Sequence, residues 1–282
     1  MISRAAVRVG VSVLAVLFCL TGVTLFGAEN SGCDSLPGYN KLKQALDTAV
    51  EAETSGLNLQ MWATIVDRDG IVCAVAFSGI DRGAQWPGSR VISAQKANAA
   101  NAFSLDGSST SQGSGTGAPP LSSPAGMALS TANLYAAVQP GGSLFGLPFS
   151  NPVDTGAAYK GPSQNFGTAH DPLAGDKIGG VNVFGGGLAL YAEGKRIVGA
   201  VGLSGDTSCA DHFIAWRVRN LLKLDHMTGL YAVSGDAQRP DNIVFDFVPN
   251  ANGGPGSASA GGFGHPRCLF TGNPALLPAV QQ

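Results

Sequence analysis

Charge is scarce in this chain. Asp, Glu, Lys and Arg make up 13% of 282 residues, with 17 basic against 19 acidic side chains and a net charge of −2. Without a basic run, nucleic acid is not an expected partner. Aromatic residues are also few, at 7%, and histidines number four. No C-x-x-C pair occurs, which removes zinc-ribbon and thioredoxin-like chemistry. Ser204 stands in Leu-Ser-Gly-Asp rather than at a G-x-S-x-G elbow, and no histidine–carboxylate pair has a fixed spacing. No catalytic set is legible. Glycine, by contrast, is abundant at 40 residues, beside 16 prolines. Such a chain has long loops around a modest core, in one large domain or one domain with extensions.

The start of the chain is its longest apolar run. Arg4 and Arg8 precede Val9 to Phe26, which is almost wholly apolar. A positive segment followed by an apolar one reads as a signal peptide over residues 1–28, with cleavage near Ala28. The same run, about 18 residues, is also long enough for an uncleaved anchor. Either way the remainder is expected to be periplasmic or secreted, with no membrane contact beyond this segment. Beyond it stand Cys33, Cys73, Cys209 and Cys268. An even number in an exported chain points to disulfides. Three connectivities are open, and Cys209–Cys268 is favoured because it would staple a C-terminal stretch poor in apolar periodicity.

Asn40 to Glu53 reads as an amphipathic helix. Leu59 to Val66 and Ile71 to Phe77 read as strands, joined by a hairpin turn at Arg68-Asp69-Gly70. Asp67 and Asp69 beside that turn are expected to form it rather than to act as a catalytic pair. Ser89 to Phe103 is a helix rich in small residues, and Ala125 to Val138 a further short one. Leu105 to Pro124 and Gln139 to Gly180 are Gly/Pro-rich connections. Gly185-Gly186-Gly187 precedes a strand, so it is no phosphate cradle. Leu188 to Ala192, a loop at Glu193-Gly194-Lys195 and Arg196 to Leu203 form a second hairpin. A helix then starts near Cys209, with Ser208 and Asp211 at capping-box spacing. The domain is expected over residues 33–228. Residues 229–282 form a Gly/Pro-rich extension with one strand at Ile243 to Val248 and a low-complexity stretch from Gly253 to Gly264.

Two of these helices carry a cation inside an apolar stripe. Lys96 sits among Ile92, Ala99 and Phe103. Arg217 sits among Phe213, Ile214, Val218 and Leu221, while His212, Trp216 and Arg219 fall on the opposite side. Each cation either snorkels, pairs with a carboxylate or faces a ligand. If the two converge, they make a site for an anionic, partly apolar ligand.

Ala63 to Ala76 (ATIVDRDGIVCAVA), Ser93 to Ala100 (SAQKANAA), Gly186 to Tyr191 and Ile197 to Gly205 (IVGAVGLSG), with Asp211 following, resemble the GlcG/HbpS-like haem-binding family. The C-terminal domains of corrinoid adenosyltransferases look similar. The likeness covers roughly residues 41–222. It implies an α+β, profilin-like fold: a five-stranded antiparallel sheet flanked by helices, here with long Gly/Pro-rich inserts and a C-terminal extension. It also implies self-association as a homo-oligomer and binding of haem, or less readily another tetrapyrrole, outside the cytoplasm.

Haem asks for an apolar slot, an axial donor and cations for its propionates. Lys96 and Arg217 are the candidate cations. His212, beside Asp211, is the first candidate for the iron, followed by His265 and His170 in loops. The absence of C-x-x-C-H excludes covalent attachment. The expected function is that of a haem carrier or sensor accessory. Enzymatic activity stays open, since slow haem breakdown needs only bound iron and a reductant. The alternative is a non-haem, profilin-like oligomerising scaffold in which Lys96 and Arg217 sit in ion pairs.

Overall fold

A computed structural model describes residues 32–108, 126–248 and 258–282. The expected signal peptide, most of the connection up to Pro124 and the first part of the low-complexity stretch from Gly253 lie outside the described residues. The described residues all fall within one unit, Ser31–Gln282. Its centre is an antiparallel sheet of four strands, β1 (Trp62–Asp67), β2 (Val72–Phe77), β3 (Gly187–Ala192) and β4 (Arg196–Ser204), in the order β2-β1-β4-β3. Each hairpin read from the sequence forms, and the two join through β1 and β4, with Trp62 opposite Ser204 and Asp67 opposite Gly199. A mixed α+β architecture is therefore present. The fifth strand expected of the sheet is not found among the described residues. Phe247–Val248 (β5), all that forms of the strand expected over Ile243 to Val248, instead pairs with Ala258–Ser259 (β6) in a separate ribbon.

Asp67 explains the first turn. Its buried carboxylate accepts the backbone N–H groups of Asp69 (3.0 Å), Ile71 (2.8 Å) and Gly32 (3.1 Å). It is a turn former, because an Asp side chain can bond the backbone two residues on. The Gly32 contact lies beside the Cys33–Cys73 disulfide, which ties the entry of helix α1 (Tyr39–Glu51) to β2.

Alternation along β1 sends side chains to two faces. Ala63 and Ile65 pack with Leu42 and Leu46 of α1 and with Phe213 and Ile214 of the last helix. Trp62 and Val66 pack on the other face with Val91, Ala94 and Ala97 of α2 (Ser89–Phe103). The face of α2 that meets the sheet is therefore its small-residue side, and Ile92 stays partly exposed. The stripe through Ile92 is not the sheet-facing one, because β4 offers α2 a flat surface. A Cβ on Gly202 would overlap the Ser93 carbonyl oxygen and crowd the Ala97 nitrogen. Gly202→Ala must push α2 off the sheet. We expect it to cost about 2–3 kcal/mol, read as a lowered midpoint in denaturant; an unchanged midpoint would count against this packing.

The additions to the compact pattern cover the helices. Residues 126–186 wrap α2, and Leu173, Ile178 and Ala158 complete its core. Two short helices lie in this stretch, α3 (Leu147–Ser150) and α4 (Thr155–Ala158). Where one helix was expected up to Val138, two 3₁₀ turns form at Thr131–Leu134 and Ala136–Val138. A capping box of Ser130 and Asn133 starts the first of them. Arg90 of α2 makes a buried bidentate pair with Asp171 of this stretch and lies 3.7 Å from the Phe166 ring centroid.

The last helix, α5 (Ser208–Leu221), is capped by Thr207 rather than Ser208, the Thr207 hydroxyl accepting the Ala210 N–H. Its outer side, expected to face water, is buried by the C-terminal extension. Trp216 Nε1 donates to the Pro278 carbonyl (2.9 Å), and Arg219 pairs with Asp241 (2.7 and 2.8 Å), both groups fully buried. The Cys209–Cys268 disulfide fastens the same segment to the start of α5, so the favoured pairing is present. No described helix is long and apolar enough to cross a membrane.

Candidate functional site

Helices α2 and α5 begin side by side, and a cleft of about 280 Å³ opens between their first turns. Trp86, Ile92 and Phe184 form its apolar walls, Ser204, Asp206 and Ser208 its polar rim, and Lys96 with Asp211 its floor. Trp86 and Phe184 are about half exposed, unlike most large side chains here. Lys96 Nζ donates to Asp211 Oδ2 (2.6 Å) and to the Leu203 carbonyl (3.0 Å). Asp211 Oδ1 accepts the Asp206 N–H (2.8 Å). Both side chains are almost wholly buried. Burial pushes the Asp211 carboxyl up to about 6 against the pull of Lys96, and the same burial lowers the Lys96 ammonium.

The glycine triplet before β3 makes this floor possible. Gly186 has φ +115°, and a Cβ there would stand 3.3 Å from Lys96 Nζ. Side chains at Gly185 and Gly187 would run into the Ser208 and Lys96 carbonyl oxygens. These glycines let three backbones converge around one ion pair.

At the edge of the cleft Ser208 Oγ lies 2.7 Å from His265 Nε2 and accepts the Gly185 N–H (2.7 Å). His265 Nδ1 lies 2.7 Å from the Pro266 carbonyl oxygen. A carbonyl only accepts, so Nδ1 carries the proton and Nε2 presents its lone pair to the Ser208 hydroxyl. Burial holds His265 neutral, its pKa lowered to about 4. Tyr135 packs on this ring at 4.9 Å between centroids and extends the aromatic wall towards Phe184.

A sequence model of the family described as "Haem degrading protein HbpS-like" matches residues 40–219, more than half of the chain. The chain belongs to the HbpS-like family. Solved structures with a likeness to this HbpS-like chain include the Klebsiella pneumoniae protein ORFY, 24% identical, with a TM-score of 0.37 over 64% of this chain and 87% of that one. A PduOC:Heme complex is 19% identical, with a TM-score of 0.38 over 64% and 89%. A double mutant of Streptomyces reticuli HbpS is 15% identical, with a TM-score of 0.32 over 74% and 99%. No curated protein matches the chain.

In this HbpS-like protein the residues singled out from the sequence do not form one cluster. Lys96 is at the cleft floor, paired with Asp211. Arg217 lines a different cleft with Phe213, Phe270 and Asn273, and pairs with Glu53 at 3.0 Å. The two cations do not share a site. His212 is fully buried rather than outward-facing, because the extension covers it. Its Nε2 lies 3.1 Å from the Ile243 nitrogen and 3.3 Å from Asn242 Oδ1, while its Nδ1 is buried without a partner. Burial lowers its pKa to about 3. His170 is exposed on the stretch that covers α2, away from the cleft walls. Of the three candidate donors, His265 alone is hydrogen-bonded to a side chain that lines the cleft, Ser208. Sequence reasoning missed Trp86, Phe184 and Ser208 as wall and rim. An exposed aromatic pair in loops has no periodicity to reveal it; the glycine triplet was the usable signal.

Proposed function

We propose that this HbpS-like protein binds haem outside the cytoplasm, as a carrier or sensor accessory. The observation that carries the reading is the cleft itself: three apolar walls with one neutral imidazole, His265, a single hydrogen bond behind the Ser208 rim. The family description and the donor chemistry both fit the group. Trp86, Ile92 and Phe184 would hold an edge of the macrocycle, and His265 Nε2 would serve as donor once Ser208 turns away. Lys96 is committed to Asp211, so a cation for a propionate would come from outside the cleft, and the exposed Arg82 lines a neighbouring cleft that shares Gly88. At about 280 Å³ the cleft is at the small end for a ligand site. It would leave much of the ring in solvent or against a second copy of the chain, which suits a homo-oligomer. Bound haem iron with an external reductant would supply oxidative chemistry; the chain would supply the walls, a donor and a buried ion-paired floor.

Haemin titration followed by absorbance tests this. We expect a saturable Soret shift that His265→Ala weakens at least about tenfold and that His170→Ala leaves unchanged. No saturable shift would sink haem binding. The second reading, a non-haem oligomerising scaffold, would then lead, since Lys96 and Arg217 are both spent in ion pairs.

A further inference from the structure

Cys209, His265 and Cys268 bring two sulfurs and one ring nitrogen within 4.8 Å of one another. In the oxidised protein the sulfurs are bonded to each other. We propose that reduction of this disulfide converts the corner into a binding site for a thiophilic divalent cation such as Zn²⁺, of the two-cysteine, one-histidine type. The proposal stands without the haem reading.

The donors suit the ion. Zinc bonds of about 2.0–2.3 Å place tetrahedral donors about 3.5 Å apart. The present triangle reaches that arrangement by parting the two sulfurs, with little movement of the chain. Two features prepare the thiolates and the imidazole. The Cys209 N–H, in the first turn of α5, donates to Cys268 Sγ (3.1 Å), and such a donor favours a thiolate. His265 is neutral, and its ring is held between the Pro266 carbonyl and Ser208; one ring nitrogen would leave its partner for the ion, and the other would keep its hydrogen bond as the outer-shell support metal-bound histidines have. Cys209 and His265 are almost fully buried, so the site is closed on the protein side. Three protein donors leave a fourth position, and Ser208, hydrogen-bonded to His265, lies on the rim of the cleft.

The electron balance is simple. A dithiol or phosphine reductant gives two electrons, the S–S bond breaks, and each sulfur takes up a proton. Metal uptake then releases both thiol protons. A second cluster, Cys33, Asp67 and Cys73, is equally compact. Its Asp67 carboxylate, however, already accepts three backbone N–H groups. That makes it the poorer site.

Cobalt(II) serves as the probe. The phosphine-reduced protein, titrated without oxygen, should show one tightly bound equivalent with a thiolate-to-cobalt charge-transfer band and the visible bands of a tetrahedral ion. Stoichiometric zinc should displace it, and the disulfide form should show neither band. His265→Ala should weaken binding more than about 100-fold. The Cys33→Ser/Cys73→Ser protein should bind as tightly as before. Absence of the bands after reduction would overturn the proposal. So would bands indifferent to His265→Ala, the signature of two thiols in a loosened chain, or bands lost in the Cys33→Ser/Cys73→Ser protein.

Discussion

Asp241→Ala is expected to destabilise the protein by about 3–5 kcal/mol, because it strands a buried charge that has no way to discharge itself. Arg219 is fully buried, its guanidinium held by Asp241 and by the Ala189 carbonyl (3.2 Å), over the Trp216 ring at 4.5 Å. An arginine stays protonated at any accessible pH. The loss should therefore be the same at pH 6 and pH 9. Asp211→Ala strands Lys96 in an equally buried place, yet a lysine can give up its proton. In that variant the native state binds one proton fewer than the unfolded chain, so stability rises with pH. The deficit should shrink by up to about 1.4 kcal/mol per pH unit between 7 and 9. Chemical denaturation of the two variants across that range tests the contrast. Equal slopes would show that Lys96 keeps its charge by reaching water or another acceptor.

Acid should weaken the fold well before carboxylates normally protonate. His212 and His265 are both buried and neutral, with pKa values lowered to about 3 and about 4 from 6.5. Depressed folded-state values mean that the unfolded chain takes up protons first. The stability from these groups is complete above about 6.5 and is lost as pH falls through 4. By pH 5 each imidazole costs about 2 kcal/mol. Asp211, raised to about 6 from 3.8, works in the opposite direction over the same window, since its native form protonates first. It returns about 1 kcal/mol, and the net loss is about 3 kcal/mol between neutrality and pH 5. His212→Gln, which keeps an acceptor for the Ile243 N–H, should remove about two-thirds of that dependence. A melting temperature constant from pH 7 to pH 5 would refute buried, neutral histidines.

The hairpins and the first two helices were legible because their signals are local: alternation, Asp-Gly and Gly-containing turns, and apolar periodicity. The expected range of α2, Ser89 to Phe103, matches the one found. The wheel of α5 misled, and the reason is physical. A helical wheel separates a buried side from a wet one only when a single layer covers the helix. Here the sheet and α1 bury one side, and Asp241, Asn242, Ile243 and Pro278 lie against the other, so His212, Trp216 and Arg219 are as buried as Phe213. The partners of the two suspicious cations were visible as residue types but not as pairs. Asp211 lies 115 positions from Lys96, and no periodicity reports contacts at that distance. The favoured disulfide was legible because an unpatterned segment in a chain with paired cysteines has few other means of being held.

The double covering of α5 has a consequence for how the chain is made. Arg219 waits 22 residues for Asp241, and Trp216 waits 62 residues for the Pro278 carbonyl. Met227 bonds Gln281 across a similar interval. While the chain emerges, the sheet and α1 can cover one side of α5, but its other side, with a buried-type arginine and an unpaired cysteine, has nothing yet synthesised to cover it. Holdases acting on the nascent or translocating chain would find their target there, at the junction where the HbpS-like pattern ends.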